Sequence, residues 1–166
     1  KLLELITRKA LMIKANVITK NTSWYRYIKN PNSYIDRKIN KLNIKNKKFK
    51  KKKIYFTLLL SGEKEIKNLN RKFRKKNKST DVLSFPFYTK KEFHKRFINE
   101  KEIYLGDIII NFNEIKDIKK PKNFKIEFNN LWIHGLVHLL GHDHKKEKDF
   151  LEMKKIEKKY SSFIND

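Results

Sequence analysis

Residues 124–144 read FKIEFNNLWIHGLVHLLGHDH, and the rest of the chain is best understood outward from this stretch. Leu131, Trp132, Ile133, Leu136, Val137, Leu139 and Leu140 cover most of a helix surface. Glu127, Asn130, His134 and His138 fall at steps of three, four and four, forming one polar stripe. A helix that is apolar nearly all round is buried. Polar groups on such a helix cost free energy unless they meet a partner, so the stripe must face a cleft, a metal or hydrogen-bonding groups. Gly141 is well placed to end a helix over Phe124–Leu140.

Upstream, Met12–Thr19 reads as a first strand, and Ile35, Ile39 and Leu42 recur at helical spacing after Pro31. Ile54–Leu60 (IYFTLLL) reads as a buried strand ended by Ser61 and Gly62. A second helix carries Ile66, Leu69 and Phe73 on one face. Lys75–Ser79 is a basic connector into an extended segment, Val82–Phe87, stopped by Pro86. Glu92–Lys101 has the composition of a loop or partial helix. Tyr104–Phe112 (YLGDIIINF) is the last strand, with Gly106 marking a bulge or close backbone approach. A short helix is expected near Asn113–Ile118, and a C-terminal helix with Phe150, Met153, Ile156 and Tyr160 on one stripe. Strands and helices intersperse without strict alternation. The expected fold is α+β: one domain over residues 1–166, with a single small mixed sheet covered by helices and a buried metal-binding helix.

The chain has 166 residues, enough to bury a real core. No apolar run approaches a membrane span, and Leu2–Val17 is broken by Glu4, Arg8, Lys9 and Lys14, which argues against a signal peptide. Cysteine is absent, so no disulfide partner or thiolate site exists; a reducing, cytoplasmic location agrees with this. The formal net charge is +24, which attracts polyanions, nucleic acid first among them. Two readings of that charge stay open. Of the 42 basic residues, 36 are Lys, and Asn and Ile are abundant, a mixture that AT-rich coding imposes on any surface. The run KNKKFKKKK (45–53) likewise reads as a solvated loop or as a phosphate contact.

Four of the five histidines lie in HGLVHLLGHDH (134–144). His134 and His138 are one helical turn apart, so their rings leave the same face. Gly141 lets the chain turn back, bringing His144 within reach. Three imidazole ligands with an open fourth position is the arrangement of a catalytic zinc, here one ion. His142 continues the i+4 series, and a set of His134, His138 and His142 is not separated by spacing alone; a helix ending at Gly141 argues against it. His94, alone in a polar basic stretch, reads as a surface residue. Histidines at steps 0, 4 and 10 with glycine at step 7 match the metzincin peptidases. The glutamate those enzymes carry directly after the first histidine is Gly135 here.

HGLVHLLGHDH resembles the signature of the YbeY endoribonuclease family, H-G-x-x-H-L-x-G-Y-D-H. LNRKFR (69–74), STDVLSFPF (79–87) and YLGDIIIN (104–111) are similar to three further blocks of that family, in the same order. The resemblance implies a single-domain α+β fold and a zinc held by His134, His138 and His144. It further implies cleavage of single-stranded RNA in ribosomal RNA maturation and ribosome quality control, with Arg74 as the functional arginine. The family's tyrosine before the Asp-His pair is His142 here, and a histidine common one turn before the first ligand is Asn130.

Guanidinium matches phosphate oxygens in a two-pronged geometry, so Arg74 is the candidate grip on the scissile phosphate. Asp143 and Asn130 are candidates for supporting the ligand histidines from behind; Asp143 equally suits a turn cap. Asp81 and Asp107 read as structural rather than catalytic. Lys72, Lys75, Lys76 and Lys78 flank Arg74 and form a candidate RNA-tracking surface. No residue stands out as a general base. Two other functions compete with a zinc endoribonuclease: a metallopeptidase, disfavoured by Gly135, and a non-catalytic ribosome assembly factor with structural zinc.

Overall fold

A computed structural model describes residues 12–49, 51–116 and 119–165. The signal-peptide reading of residues 2–17 falls largely outside them. Strands β1 (Ile13–Thr19), β2 (Lys53–Ser61), β3 (Val82–Pro86) and β4 (Glu102–Asn111) form one sheet in the order β1-β2-β4-β3. The first three in that order run parallel, and β3 pairs antiparallel to β4 as an edge. The helices are α1 (Pro31–Lys45), α2 (Glu63–Arg74), α3 (Lys90–Asn99), α4 (Pro121–Leu139) and α5 (Glu147–Asn165). The α+β expectation holds.

The two sheet faces are covered unequally. Ile54, Phe56, Leu58, Leu60, Ile108 and Ile110 turn to one side, where α1, α4 and α5 close the main apolar cluster. On the other side, among the described residues, only α2 packs down, through Ile66 against Leu83 and Ile109. Alternation of side chains along each strand produces this division. Gly106 has a φ of 126°, and a Cβ there would lie 2.1 Å from the Phe85 carbonyl oxygen. Glycine thus permits the β4 irregularity, and the β2–β4 register shifts beside it.

Helix α4 is the buried helix. Gly135 fits it against the sheet: a Cβ there would meet Ile108 Cγ2 at 2.7 Å. The buried amide of Asn129 accepts hydrogen bonds from Tyr34 Oη (3.0 Å) and Trp132 Nε1 (3.1 Å). It donates to Asn165 (3.2 Å), so α4 is tied to both α1 and α5.

Four local expectations need correction. Residues 90–99 form a complete helix, because Thr89 and Glu92 cap its first turn reciprocally. Residues 113–116 hold no α-helix; a single 3₁₀ turn, Phe112–Glu114, stands there, and residues 117–118 lie outside the described set. Phe150 is 44% exposed, and the buried stripe of α5 runs instead through Met153, Tyr160 and Ile164. The basic run is also not wholly solvated, since Phe49 inserts into the core.

A candidate metal centre

Helix α4 ends as its sequence requires. The amide of Gly141 bonds the His138 carbonyl (2.9 Å) and that of His142 bonds the Val137 carbonyl (3.3 Å), with Gly141 at φ 89°. This paired closure reverses the chain direction. His144 is thereby carried back over the helix end. Its ring centroid lies 5.0 Å from that of His138 and 5.8 Å from that of His134. Ligand atoms of all three histidines lie within 4.8 Å of one another.

The partners of the rings fix which nitrogens point inward. His134 Nδ1 lies 2.7 Å from Glu157 Oε1, and His138 Nδ1 lies 3.0 Å from the His142 carbonyl oxygen. Both partners accept, so Nδ1 of each ring carries a proton, and in the neutral rings Nε2 presents a lone pair. Those two Nε2 atoms are 3.2 Å apart. At that distance two lone pairs repel unless they share a proton or a metal ion. Ligands on a tetrahedral ion at about 2.0–2.1 Å stand about 3.3 Å apart, so the donor set fits a divalent metal.

Burial, with His134 and His144 close by, pushes the pKa of His138 down to about 4, which keeps its ring neutral and able to ligate. Burial works against the Glu157 carboxylate, but hydrogen bonds from His134 and Lys154 outweigh it and hold its pKa at about 2. Glu157 is therefore an anion 13% exposed, fixed by Lys154 Nζ at 2.8 Å. It supports His134 in the manner of carboxylate–histidine–metal arrangements.

The centre opens on a cleft of about 730 Å³. Arg74 and Lys76 line it from the C-terminal end of α2, Tyr88 and Lys90 from the β3–α3 connection, and Asp143 and Lys145 from the loop after α4. Arg74 donates to the Ser84 carbonyl (3.1 Å), with its guanidinium over the Phe85 ring. Lys72, Lys75 and Lys78 lie outside this cleft lining: Lys72 Nζ sits over Phe73, Lys75 takes the left-handed cap of α2, and the Lys78 carbonyl accepts from Asn70.

Among the described residues, neither of the two expected to support a ligand ring hydrogen-bonds to one. Asp143 accepts from the His144 amide (2.8 Å), acting as a turn cap, and Asn130 accepts from Ser161. Glu157 takes that role for His134, and the His142 carbonyl takes it for His138. His142 itself turns its ring toward Glu152 at 4.0 Å, away from the other three. Asp81 accepts from Thr80 and Val82, and Asp107 from Tyr104, both structural bonds. Glu157 had a signal in the sequence. Met153, Glu157, Tyr160 and Ile164 share one face of α5 at steps of four, three and four, and a lone carboxylate on that buried stripe demands a partner.

A family model described as "Endoribonuclease YbeY" matches residues 19–165. A protein named Endoribonuclease YbeY from Pelagibacter ubique is 46% identical over 158 residues, covering 92% of this chain and 97% of that protein. One of the same name from Ehrlichia canis is 36% identical, covering 88% of each. A solution structure from Thermotoga maritima superposes with a TM-score of 0.57 at 23% identity, covering 91% of this chain and 89% of that one, which shows a shared fold. With the family model spanning residues 19–165 and relatives of that name matched over most of their length, the chain belongs to the Endoribonuclease YbeY family.

Proposed function

We propose that the chain is a zinc-dependent endoribonuclease that cleaves single-stranded RNA, acting in ribosomal RNA maturation and ribosome quality control in the cytoplasm. The observation that carries this reading is the three-histidine group, with ligand atoms within 4.8 Å of one another, of which His138 and His144 line a cleft that also holds Arg74. Zinc bound by His134, His138 and His144 would supply Lewis acidity toward a phosphoryl oxygen and a water acidified to near neutrality.

The protein's own residues supply the remainder. Arg74 is pinned by Ser84 and Phe85, which keeps further N–H donors free to grip a phosphate two-pronged. Lys76, Lys90 and Lys145 give the cleft a positive wall that draws in a polyanion. Glu157 and the His142 carbonyl hold two imidazoles in the ligating tautomer. Position 135 packs on Ile108 with no space for a side chain, so the glutamate of a metallopeptidase has no place there.

The test is cleavage by zinc-loaded protein of a single-stranded RNA oligonucleotide, its duplex form and casein. Cutting of the single strand alone, lost in His138→Ala, is the expected result. Cleavage that survives His138→Ala would refute the metal-centred reading. Tight ribosome binding with no turnover would favour a non-catalytic assembly factor.

A further inference from the structure

Among the described residues, the face of the sheet opposite α4 is only partly covered, and its open part is aromatic. Tyr55 on β2 and Tyr104 on β4 are cross-strand partners with ring centroids 5.4 Å apart. Phe87, just past β3, meets Tyr104 at 5.7 Å, so three rings form a row across the sheet. Phe87 is 65% exposed. Exposure of so large an apolar ring beside two others is costly without a function.

The row is flanked by cations and joins the metal cleft. Lys53 Nζ lies 5.8 Å from the Tyr55 ring at one end. At the other, Phe87 meets Tyr88, which lines the cleft, at 5.0 Å. Phe85, two residues before Phe87 and so on the same face of the extended chain, lies beneath Arg74. The acids nearby are already engaged: Asp107 accepts from Tyr104, and Glu102 pairs with Lys53.

The geometry points to this face as a stacking platform on which bases of single-stranded RNA lie as the strand leaves the metal centre past Arg74. This rests on the reading of RNA as substrate and adds where the strand runs. Rings spaced across a sheet and edged by lysine and arginine suit a strand whose bases are unpaired, because each base offers a flat face and each linkage a negative charge. A duplex keeps its bases stacked on each other and gains nothing from the rings. The platform therefore selects single strands by chemistry separate from the metal.

The test compares the parent protein with Phe87→Leu and Tyr55→Leu, which change rings at the two ends of the row and keep apolar area. Fluorescence anisotropy is read with three labelled probes: a single-stranded RNA, the same sequence as a duplex, and a base-free ribose-phosphate strand. Each variant should bind single-stranded RNA about 5- to 100-fold more weakly, with the other two probes bound as by the parent. Circular dichroism checks the fold, and a dinucleotide substrate that reaches only the metal centre should be cut at the parental rate. Parental binding of the single strand by both variants overturns the platform, as does equal loss for all three probes, which would reduce the face to charge. Self-association of the parent that Phe87→Leu abolishes, with RNA binding unchanged, would assign the face to a second copy of the chain. If the parent cuts RNA while the variants bind normally, only the platform falls. If the parent neither binds nor cuts RNA, the proposed function falls with it.

Discussion

Replacing Glu157 by alanine should weaken zinc binding about 10- to 100-fold, or about 1.4–2.7 kcal/mol. The magnitude follows from what the carboxylate does. At 2.7 Å from His134 Nδ1 it makes a charge-assisted hydrogen bond, and it is only 13% exposed, so water screens it little. With a pKa held near 2 it remains an anion throughout the range in which the protein is handled. Alanine leaves His134 Nδ1 without its acceptor, and the ring is then free to put its proton on Nε2 and to rotate off the metal direction. It also releases Lys154 beside the ring, a positive charge that disfavours a bound cation. Glu157→Gln keeps an acceptor oxygen while losing the charge and should fall between parent and alanine. Competition for zinc against a chromophoric chelator at neutral pH gives the three affinities directly. Equal affinity in parent and Glu157→Ala, with native circular dichroism in both, would refute the reasoning. So would a glutamine variant weaker than alanine.

Three further perturbations probe other parts of the site. Arg74→Ala should lower kcat/KM for RNA cleavage about 100-fold, a size expected for one lost donor at a developing charge, and Arg74→Lys should not restore it because the two-pronged geometry is lost. Gly135→Ala should destabilise the protein by about 1–3 kcal/mol in urea unfolding, since its Cβ would enter space held by Ile108 in a central strand. For the metal-free protein, burial of His138 lowers its pKa from 6.5 to about 4, so the unfolded chain binds more protons between those values. Stability should then fall as pH drops from about 6.5 to about 4, and a urea series across that window should flatten in His138→Asn.

The three-histidine group was legible in the sequence because its geometry is local. One helical turn separates His134 from His138, and a glycine whose φ is 89° supplies the reversal that returns His144. The sheet was legible for the related reason that apolar runs such as IYFTLLL have few other places to go. Helix α3 was harder, because most side chains on it are exposed and only Phe93 and Phe97, one turn apart, pack toward the core; its Thr89–Glu92 capping box was the other signal. What joins distant segments left weaker traces. Asp143 sits beside a ligand candidate in sequence, yet its carboxylate is taken up by the adjacent backbone amide and by Lys145. Glu157 is 23 residues from His134 and reaches it only because α5 packs along α4. The physical rule that connects them is burial. An anion placed at 157, between Met153 and Tyr160 on a buried stripe, cannot stay unpaired, and His134 is an imidazole whose inner nitrogen must be kept free of a proton. Each group meets the other's requirement, which is why the carboxylate that steadies the centre lies on the last helix rather than next to the histidines.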